Sequence, residues 1–599
     1  RANLVRPAIG ATSAVRGLRA DFIAAAVILL GVSLIYGARL TVEPLVGEET
    51  RWATAAREML STGDWVVPRQ QGQVFAERPP LTTWLMAIGG WMRGDVDPIA
   101  ARLPSVIAVV LTSLLIFGYT RAFASVTTAL IAALVYATGG QVLQIGRLGE
   151  SEAVFTLFVG GSLLVWHLGY ARNWRPVVVW TLGFSFAALA AMVKGPQAPI
   201  YFVAITGAYL VVVRDWKYLL SWQPFAGGLA FVAIIAAWQI PFYRATDWQA
   251  VLATWAGLAG DRIHLRGVLA HSVSYPLETF GCLLPWSPML TVLALRDVRE
   301  WLREKRNVST FIITALVVAY PTVWLASGAR GRYFMPLYPL VAVLIGLLIE
   351  YCSHAVRGSA ARRMWQGFLL LWTLVIGGCA ALVGGNALLP SNWALDFSQP
   401  RWFVLVASAV AGAALYAIVS VYKSGQPAQP LRVVLSIAGV AGLGATGLML
   451  NYYAVLWSDP TSSVSELAAH LPEGAQLVSL TEIEHRFAYY YGAPITQLPW
   501  PMTADDLPAN VDYFCFMRHW NDTPESHIAG RGRTAYRTPG TLPFAWEEVM
   551  AFCPDRQTDT PTATSLVLGR VIRPIRAEVS DISKPQNKVA LEGVASERK

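Results

Sequence analysis

The chain has 599 residues, of which 55% are hydrophobic and only 14% charged, with a formal net charge of +9. Soluble domains carry about 25% charged residues, so an ordinary soluble enzyme is excluded, and apolar runs of membrane-spanning length recur along most of the chain. The basic residues sit mostly in short loops between these runs, where they set orientation, and no basic, aromatic-interleaved platform for nucleic acid is present.

Arg1, Arg6, Arg16 and Arg19 precede a first apolar run from about Phe22 to Tyr36. This pattern is expected to give an uncleaved first span with its N-terminus inside. Residues 39–102 form an outside loop too long to be a simple connection. It holds two helix-like stretches, Glu49 to Leu60 and Pro80 to Met92. The second carries Trp84 and Trp91, as helices lying in the membrane interface do. Further spans are expected at 104–120, 126–145, 153–170, 176–193, 197–213, 224–243, 276–295, 310–326, 335–351, 365–384, 402–422 and 432–457. With the first, that makes about thirteen. The loops placed inside hold Arg172/Arg175, Arg214/Lys217, the Arg296–Arg306 cluster and Arg357/Arg362/Arg363. All are basic, as the positive-inside rule requires. Residues 1–457 are therefore read as the membrane domain.

After Trp457 the composition turns polar. Val464–Leu471 and Glu482–Tyr491 read as helices, and Gln476–Leu480, Tyr513–Met517 and Ser565–Ile572 as strands. Residues 458–575 are thus expected to form a small α/β domain outside the membrane. The tail 576–599 is polar, lacks aromatics and reads as disordered. Of five cysteines, Cys282, Cys352 and Cys379 lie in or beside apolar runs and read as packing residues. Cys515 and Cys553 lie in the polar part, where a disulfide and two free thiols are both open readings. No CxxC or HExxH occurs, and His264 with His271 are weak metal candidates, so a divalent metal stays an open question.

Charged residues that oppose the positive-inside rule are candidates for holding an anion. Four outside segments supply them. The first loop offers Glu43, Glu48, Glu49, Arg51, Asp64 and Arg78; the next offers Arg147-Leu148-Gly149-Glu150-Ser151-Glu152; Lys194 ends a span; and the late loops offer Asp261-Arg262 and Arg330-Gly331-Arg332-Tyr333. Each has a plainer reading. A carboxylate at a span end caps a helix or balances an arginine, and a terminal lysine snorkels to the headgroups. The set as a whole suits group transfer from a phosphate-linked donor. A carboxylate takes the proton of an attacking hydroxyl, while cations grip the leaving phosphate.

The first loop carries Glu48-Glu49-Thr50-Arg51-Trp52, then Gly63-Asp64-Trp65, then Glu77-Arg78-Pro79-Pro80-Leu81. It resembles the corresponding loop of the bacterial 4-amino-4-deoxy-L-arabinose (lipid A) transferases, whose pattern is Asp-Glu-x-Arg-Tyr, Gly-Asp-Trp, Glu-Lys-Pro-Pro-Leu. These belong to the wider dolichyl-phosphate-mannose–protein mannosyltransferase-like superfamily of C-type membrane glycosyltransferases. The likeness continues through Arg147 to Glu152, Lys194-Gly195-Pro196, Leu284-Pro285-Trp286-Ser287 and Arg332-Tyr333. It implies an all-α polytopic fold and transfer, with inversion, from a polyprenyl-phosphate (undecaprenyl phosphate) sugar on the periplasmic side of the inner membrane. It implies Glu48 and Glu152 beside the active-site cavity, with Glu49 as a further catalytic candidate. Arg78, Arg262, Tyr333 and Lys194 would lie near the donor phosphate, with Arg51, Arg147, Arg330 and Arg332 as other candidates. Glu48 and Glu152 stand where the family has Asp, Arg78 where it has Lys, and Trp52 where it has Tyr. The longer acids suggest a shifted cavity or a different acceptor, which could be a lipid, a glycan or a protein. A transporter or flippase of lipid-linked sugars is the alternative from another class, and would carry polar groups at mid-membrane.

Overall fold

The computed structural model describes residues 11–256, 268–388, 401–424, 429–450, 461–519, 542–552 and 564–573. Among these, ten helices are long and apolar enough to cross a membrane, or eleven if a bent pair counts as one span. The chain is a multi-span membrane protein, mostly helical, with a small C-terminal sheet.

The first span, α1 (Ala11–Gly37), leads into the first long loop. There α2 (Glu48–Thr62) starts with two carboxylates in its first turn, where the helix dipole favours negative charge, and stops at Gly63 in the left-handed region. A short hairpin follows, β1 (Arg69–Gln70) with β2 (Gln73–Val74). Next comes α3 (Leu81–Arg93), whose Trp91 and Met92 are exposed as an interfacial helix requires. The second span, α4 (Pro98–Arg121), is capped by Asp97, whose side chain accepts from Ala100 N, with Pro98 in the first turn. After it come α5 (Val126–Ala137), α6 (Gly140–Ile145), α7 (Glu152–Ala171), α8 (Pro176–Lys194) and α9 (Gln197–Val212). Then come α10 (Trp216–Leu219), α11 (Gln223–Ala245), α12 (Trp248–Ala256) and α13 (Val268–Cys282). A 3₁₀ stretch (Ser287–Ala294), α14 (Arg296–Glu304) and α15 (Arg306–Trp324) lead to a 3₁₀ turn, Gly331–Leu337. This turn runs into α16 (Tyr338–His354), followed by α17 (Ala360–Leu388), α18 (Arg401–Ser424) and α19 (Pro430–Leu443).

The expected spans are met with three exceptions, each with a geometric cause. The 126–145 run is split at Thr138–Gly139, leaving twelve residues in α5. The 197–213 run gives the 16-residue α9, short of the length that spans a bilayer upright. The 276–295 run breaks after Cys282, and its two helices meet at 118°. Burial sorts the spans. The Gly331–His354 segment is 89% buried and forms the hub, whereas the first span and the spans formed by α17 and α18 are 17% buried and face outward.

In the C-terminal part, α20 (Thr461–Ala469) and α21 (His485–Tyr491) flank a five-stranded sheet. Its strands are β3 (Leu477–Leu480), β4 (Thr496–Leu498), β5 (Tyr513–His519), β6 (Trp546–Phe552) and β7 (Thr564–Val571), in the order β4-β3-β5-β7-β6. β3 pairs in parallel with β4 and β5, and β7 is antiparallel to β5 and β6. The expected helices and strands fall on observed ones; β4 and β6 are additional. The tail 576–599 and Cys553, and with it any Cys515–Cys553 bridge, lie outside the described residues.

This sheet unit is docked on the first long loop. Tyr489 packs into the apolar cluster of Leu45, Trp52, Met59 and Met86. Its hydroxyl donates to Val96 O at 2.8 Å, and Tyr490 donates to Leu45 O at 3.1 Å. Arg57 donates to Tyr489 O at 2.7 Å and lies over the Tyr489 ring at 4.4 Å. The hairpin tip plugs the sheet edge, with Gln497 N donating to Gln71 O and Gln71 Nε2 donating to Ile483 O.

Candidate active site

The long loop between α1 and α4 is clamped to the spans by buried charge. Arg102, in the first turns of α4, donates to both oxygens of Glu49, at 2.8 and 2.7 Å. Both side chains are at most 3% exposed. The same guanidinium donates to Leu40 O, Glu43 O and Pro44 O, so it gathers the chain leaving α1 as well. Glu49 Oε1 also accepts from Gly149 N at 2.6 Å, which ties in the α6–α7 loop. Gly149 is needed here: a Cβ would lie 3.0 Å from Ala101 O and 3.3 Å from Glu49 Oε1. Arg147 is buried against the end of α1, donating to Ala38 O at 2.7 Å and to Tyr36 O at 3.3 Å. Both residues entered as site candidates. Their charges are consumed in holding backbone, which is the work of a frame.

Beside this clamp the other charges converge. Glu152, at the outer end of α7, accepts from Lys194 Nζ at the end of α8, 2.5 Å away. Arg78 donates to Ser151 Oγ at 3.0 Å, and Ser151 donates to Glu152 Oε2 at 3.3 Å. Arg332, in the 3₁₀ turn, binds Glu150 Oε2 at 2.9 Å and keeps its Nε 3.8 Å from Glu152 Oε1. The Tyr333 ring lies 5.6 Å from Lys194 Nζ, and the Trp52 ring lies under Arg78 at 5.3 Å. A small hollow, with a cavity volume of about 10 Å³, is walled by Glu152, Lys194, Gln197, Arg332, Tyr333 and Pro336. Burial and the charge of Glu152 push the Glu150 carboxyl up to about 8, with Arg332 pulling the other way. Arg78, Lys194 and Arg332 therefore face Glu150 and Glu152 with a surplus of positive charge, the balance that suits an anion.

A rim of charge joins this hollow to the C-terminal unit. Glu48 Oε2 lies 3.8 Å from Arg51 and acts electrostatically on Arg332. Arg51 also pairs with Glu77 and covers the Phe75 ring. His485 Nε2 donates to Gly47 O, 2.9 Å away, fixing the residue before Glu48. Burial first, and the Arg51 charge second, lower the His485 pKa to about 4, so the ring is neutral at pH 7.

The structure thus brings together Arg78, Glu152, Lys194, Arg332 and Tyr333, with Glu48 and Arg51 at the rim. Glu49 and Arg147 sit in the clamp beside them, and the Glu49 charge reaches Glu150. The Arg330 side chain is exposed, and its carbonyl accepts from Tyr275 at 3.4 Å. Arg262 and His264 lie outside the described residues. Among the described residues no group of three or more His, Cys, Asp or Glu converges to hold a metal ion. Reading the sequence singled out neither Glu150 nor Arg102 for a role. Glu150 stands inside the Arg147–Glu152 motif, and its share in Arg332 follows only from the distant 3₁₀ turn. Glu278 was also missed: its Oε1 accepts from Gly331 N at 2.6 Å and fixes the turn that carries Arg332.

The fold and this charged hollow define a polytopic membrane protein with a pocket where three cations face two carboxylates. Residues 77–240 match the family model of dolichyl-phosphate-mannose-protein mannosyltransferase. The chain is similar to the undecaprenyl phosphate-α-4-amino-4-deoxy-L-arabinose arabinosyl transferase of Pseudomonas aeruginosa (strain LESB58), 28% identical over 363 residues, 58% of this chain and 64% of that one. It is similar to the protein of the same name from Edwardsiella ictaluri (strain 93-146), 27% identical over 349 residues, 56% of this chain and 60% of that one. The match spans less than two thirds of the length of either relative. The fold is that of ArnT from Cupriavidus metallidurans in its crystal structure bound to undecaprenyl phosphate: TM-score 0.63 at 16% identity, over 96% of this chain and 100% of that one. The apo form of the same protein gives 0.64, over 93% and 98%. The chain therefore has the fold of this Cupriavidus protein.

Proposed function

We propose that this protein is an integral membrane glycosyltransferase that moves a sugar, with inversion, from a polyprenyl-phosphate carrier to an acceptor outside the cytoplasm. The observation that carries the reading is the set of cations from three separate segments, Arg78, Lys194 and Arg332, converging with two carboxylates beside one small hollow. In this reading the carrier phosphate is gripped by Arg78, Lys194, Tyr333 and Arg332, with Arg262 as a further contact. These groups stabilise the charge that grows on the phosphate as the bond to the sugar breaks. Glu48 is the general base or acceptor-orienting group and Glu152 the second acid. Glu49 and Arg147 hold the loop. An acceptor that is itself a phosphate needs no strong base, and the acids then orient it.

A wider hollow of about 850 Å³ opens between the hairpin and α11–α12, with Arg69, Ala76 and Asp247 in its walls. We assign this second hollow to the acceptor. The likeness to aminoarabinose transferases favours a lipid A-like lipid acceptor. The family-model match to protein mannosyltransferases favours a protein acceptor as the second reading. The protein is placed in the inner membrane with its N-terminus cytoplasmic, residues 1–457 as the membrane domain and 458–575 as a periplasmic domain.

The test is to incubate the purified full-length protein with a panel of polyprenyl-phosphate sugars and lipid, glycan and peptide acceptors. Release of free polyprenyl phosphate is followed and the products are identified. Glu48→Gln and Arg78→Ala should each reduce turnover severely; near-normal turnover in both rejects the site. A cysteine at Ser462 should label with an impermeant reagent in intact cells, and labelling only after lysis rejects the orientation.

A further inference from the structure

The carboxylates of the hollow are not equivalent. Glu152 has both oxygens engaged by its own neighbours, Oε1 by Lys194 at 2.5 Å and Oε2 by Ser151 at 3.3 Å. Glu150 is different: its side chain pairs with Arg332, at 2.9 Å. Arg332 is itself only partly satisfied, since its Nε is buried without a hydrogen-bond partner among the described residues. The backbone beneath it is fixed, because Gly331 N donates to Glu278. The guanidinium is thus held on a rigid turn with one donor in use and another waiting.

We propose that Glu150 is a positioning residue that occupies Arg332 while the site is empty and gives it up as the neutral acid when a lipid carrier's phosphate arrives, taking a proton from solvent wherever it was still charged. The proposal rests on the lipid-phosphate reading of the site. A carboxylate and a phosphate offer a guanidinium the same paired oxygens, and the phosphate offers more charge. Once Arg332 turns to the phosphate, a charged Glu150 would be left in a buried site without its cation. An unpaired buried charge is costly, and protonation removes it.

The groups facing Glu150 make this uptake favourable. Glu152 on its own loop and Glu49 from α2 repel its charge, while Arg332 from the 3₁₀ turn and Lys194 from α8 attract it. In the empty site the balance already puts the carboxyl at about 8. Drawing Arg332 away and adding phosphate charge both raise it further. The bound state then holds a proton that the empty state has lost at higher pH. Below about pH 8 the carboxyl is protonated in both states and binding is insensitive to pH. Above it, each binding event takes up a proton, and affinity falls toward about tenfold per pH unit. A phosphate monoester is fully charged throughout this window, its second pKa being about 6.

The experiment is calorimetry on the full-length protein in detergent with a polyprenyl phosphate as probe. It runs from pH 7 to 9.5 in two buffers of different ionisation enthalpy. The wild type should show proton uptake that rises across pH 8 toward about one per site, with affinity weakening in step. Glu150→Gln, whatever its affinity at pH 7, should take up no proton and hold that affinity to pH 9.5. Wild-type binding without uptake, or uptake that persists in Glu150→Gln, overturns the proposal. Binding that is lost in Arg78→Ala but shows no uptake in the wild type removes only the role of Glu150. No wild-type binding at any pH removes the lipid-phosphate reading with it.

Discussion

Replacing Glu49 by alanine separates a frame residue from a catalytic one. Glu49 and Arg102 are 1% and 3% exposed and joined by two short hydrogen bonds. Removing one partner of such a pair strands the other, at about 3–5 kcal/mol. Arg102 would keep three carbonyl acceptors, at Leu40, Glu43 and Pro44, which argues for the lower end of that range. Gly149 N would also lose its acceptor, adding about 1–3 kcal/mol if water does not replace it. A loss of about 4 kcal/mol is a large share of a typical folding free energy. It should appear as a lower melting temperature by tryptophan fluorescence in detergent and as protease cleavage within residues 39–102. Transfer activity should fall with the loop's order. Glu49→Leu with Arg102→Met removes both charges together and should recover part of the melting temperature and of the protease resistance. A Glu49→Ala protein that melts and resists protease like the wild type, yet is inactive, would refute this reasoning and make Glu49 a catalytic acid.

Arg78→Lys should retain more transfer than Arg78→Ala, which should lose about a hundredfold in turnover; equal losses would show that the fork geometry, not the charge, is what matters. Gly331→Ala places a Cβ 2.7 Å from Cys282 Sγ and 2.9 Å from Glu278 Oε1, so the turn must shift. Turnover should fall while expression stays normal, and unchanged turnover would show that Arg332 need not be fixed. The His485 pKa is lowered to about 4 from 6.5. Its contribution to docking is therefore full above pH 6.5 and lost as pH falls toward 4. Hydrogen exchange of α21 should rise across that window in the wild type and stay flat in His485→Gln; a flat wild-type profile would refute the buried neutral ring.

Much of the fold is legible because a bilayer demands long apolar runs, and ten of these stand where hydropathy puts them. The exceptions are places where tertiary packing outranks hydropathy. Around Thr138–Gly139, Trp286 Nε1 donates to Thr138 Oγ1 at 3.1 Å and Gly140 N donates to Leu284 O at 2.6 Å, so two breaks support each other. Neither break is visible from its own run. The same limit applies to the candidate site. Arg78, Glu152, Lys194 and Tyr333 can be picked out as charged or aromatic residues beside span ends. Whether such a residue serves chemistry or architecture depends on its partner, and the partner is distant in sequence. Glu48 and Glu49 are neighbours in the chain, yet one turns to the rim beside Arg51 and the other to Arg102 beneath. Strand β6 escapes notice because Trp546-Glu547-Glu548 mixes charge into a strand that a bulge interrupts at Glu548/Met550.

The departures from the transferase pattern are coupled in space. Arg78 stands where the family has Lys, and Trp52 where it has Tyr. The Arg78 guanidinium lies over the Trp52 ring at 5.3 Å, and that ring is 2% exposed. A planar guanidinium spreads its charge over an aromatic face better than an ammonium does, and the indole is the strongest such face. The two changes therefore form one arrangement, with the ring holding the fork flat while one nitrogen reaches Ser151. Glu152 is longer than the family's Asp by about 1.5 Å, and that reach is taken up by Lys194 on one oxygen and Ser151 on the other. The substitutions adjust one another around a common centre.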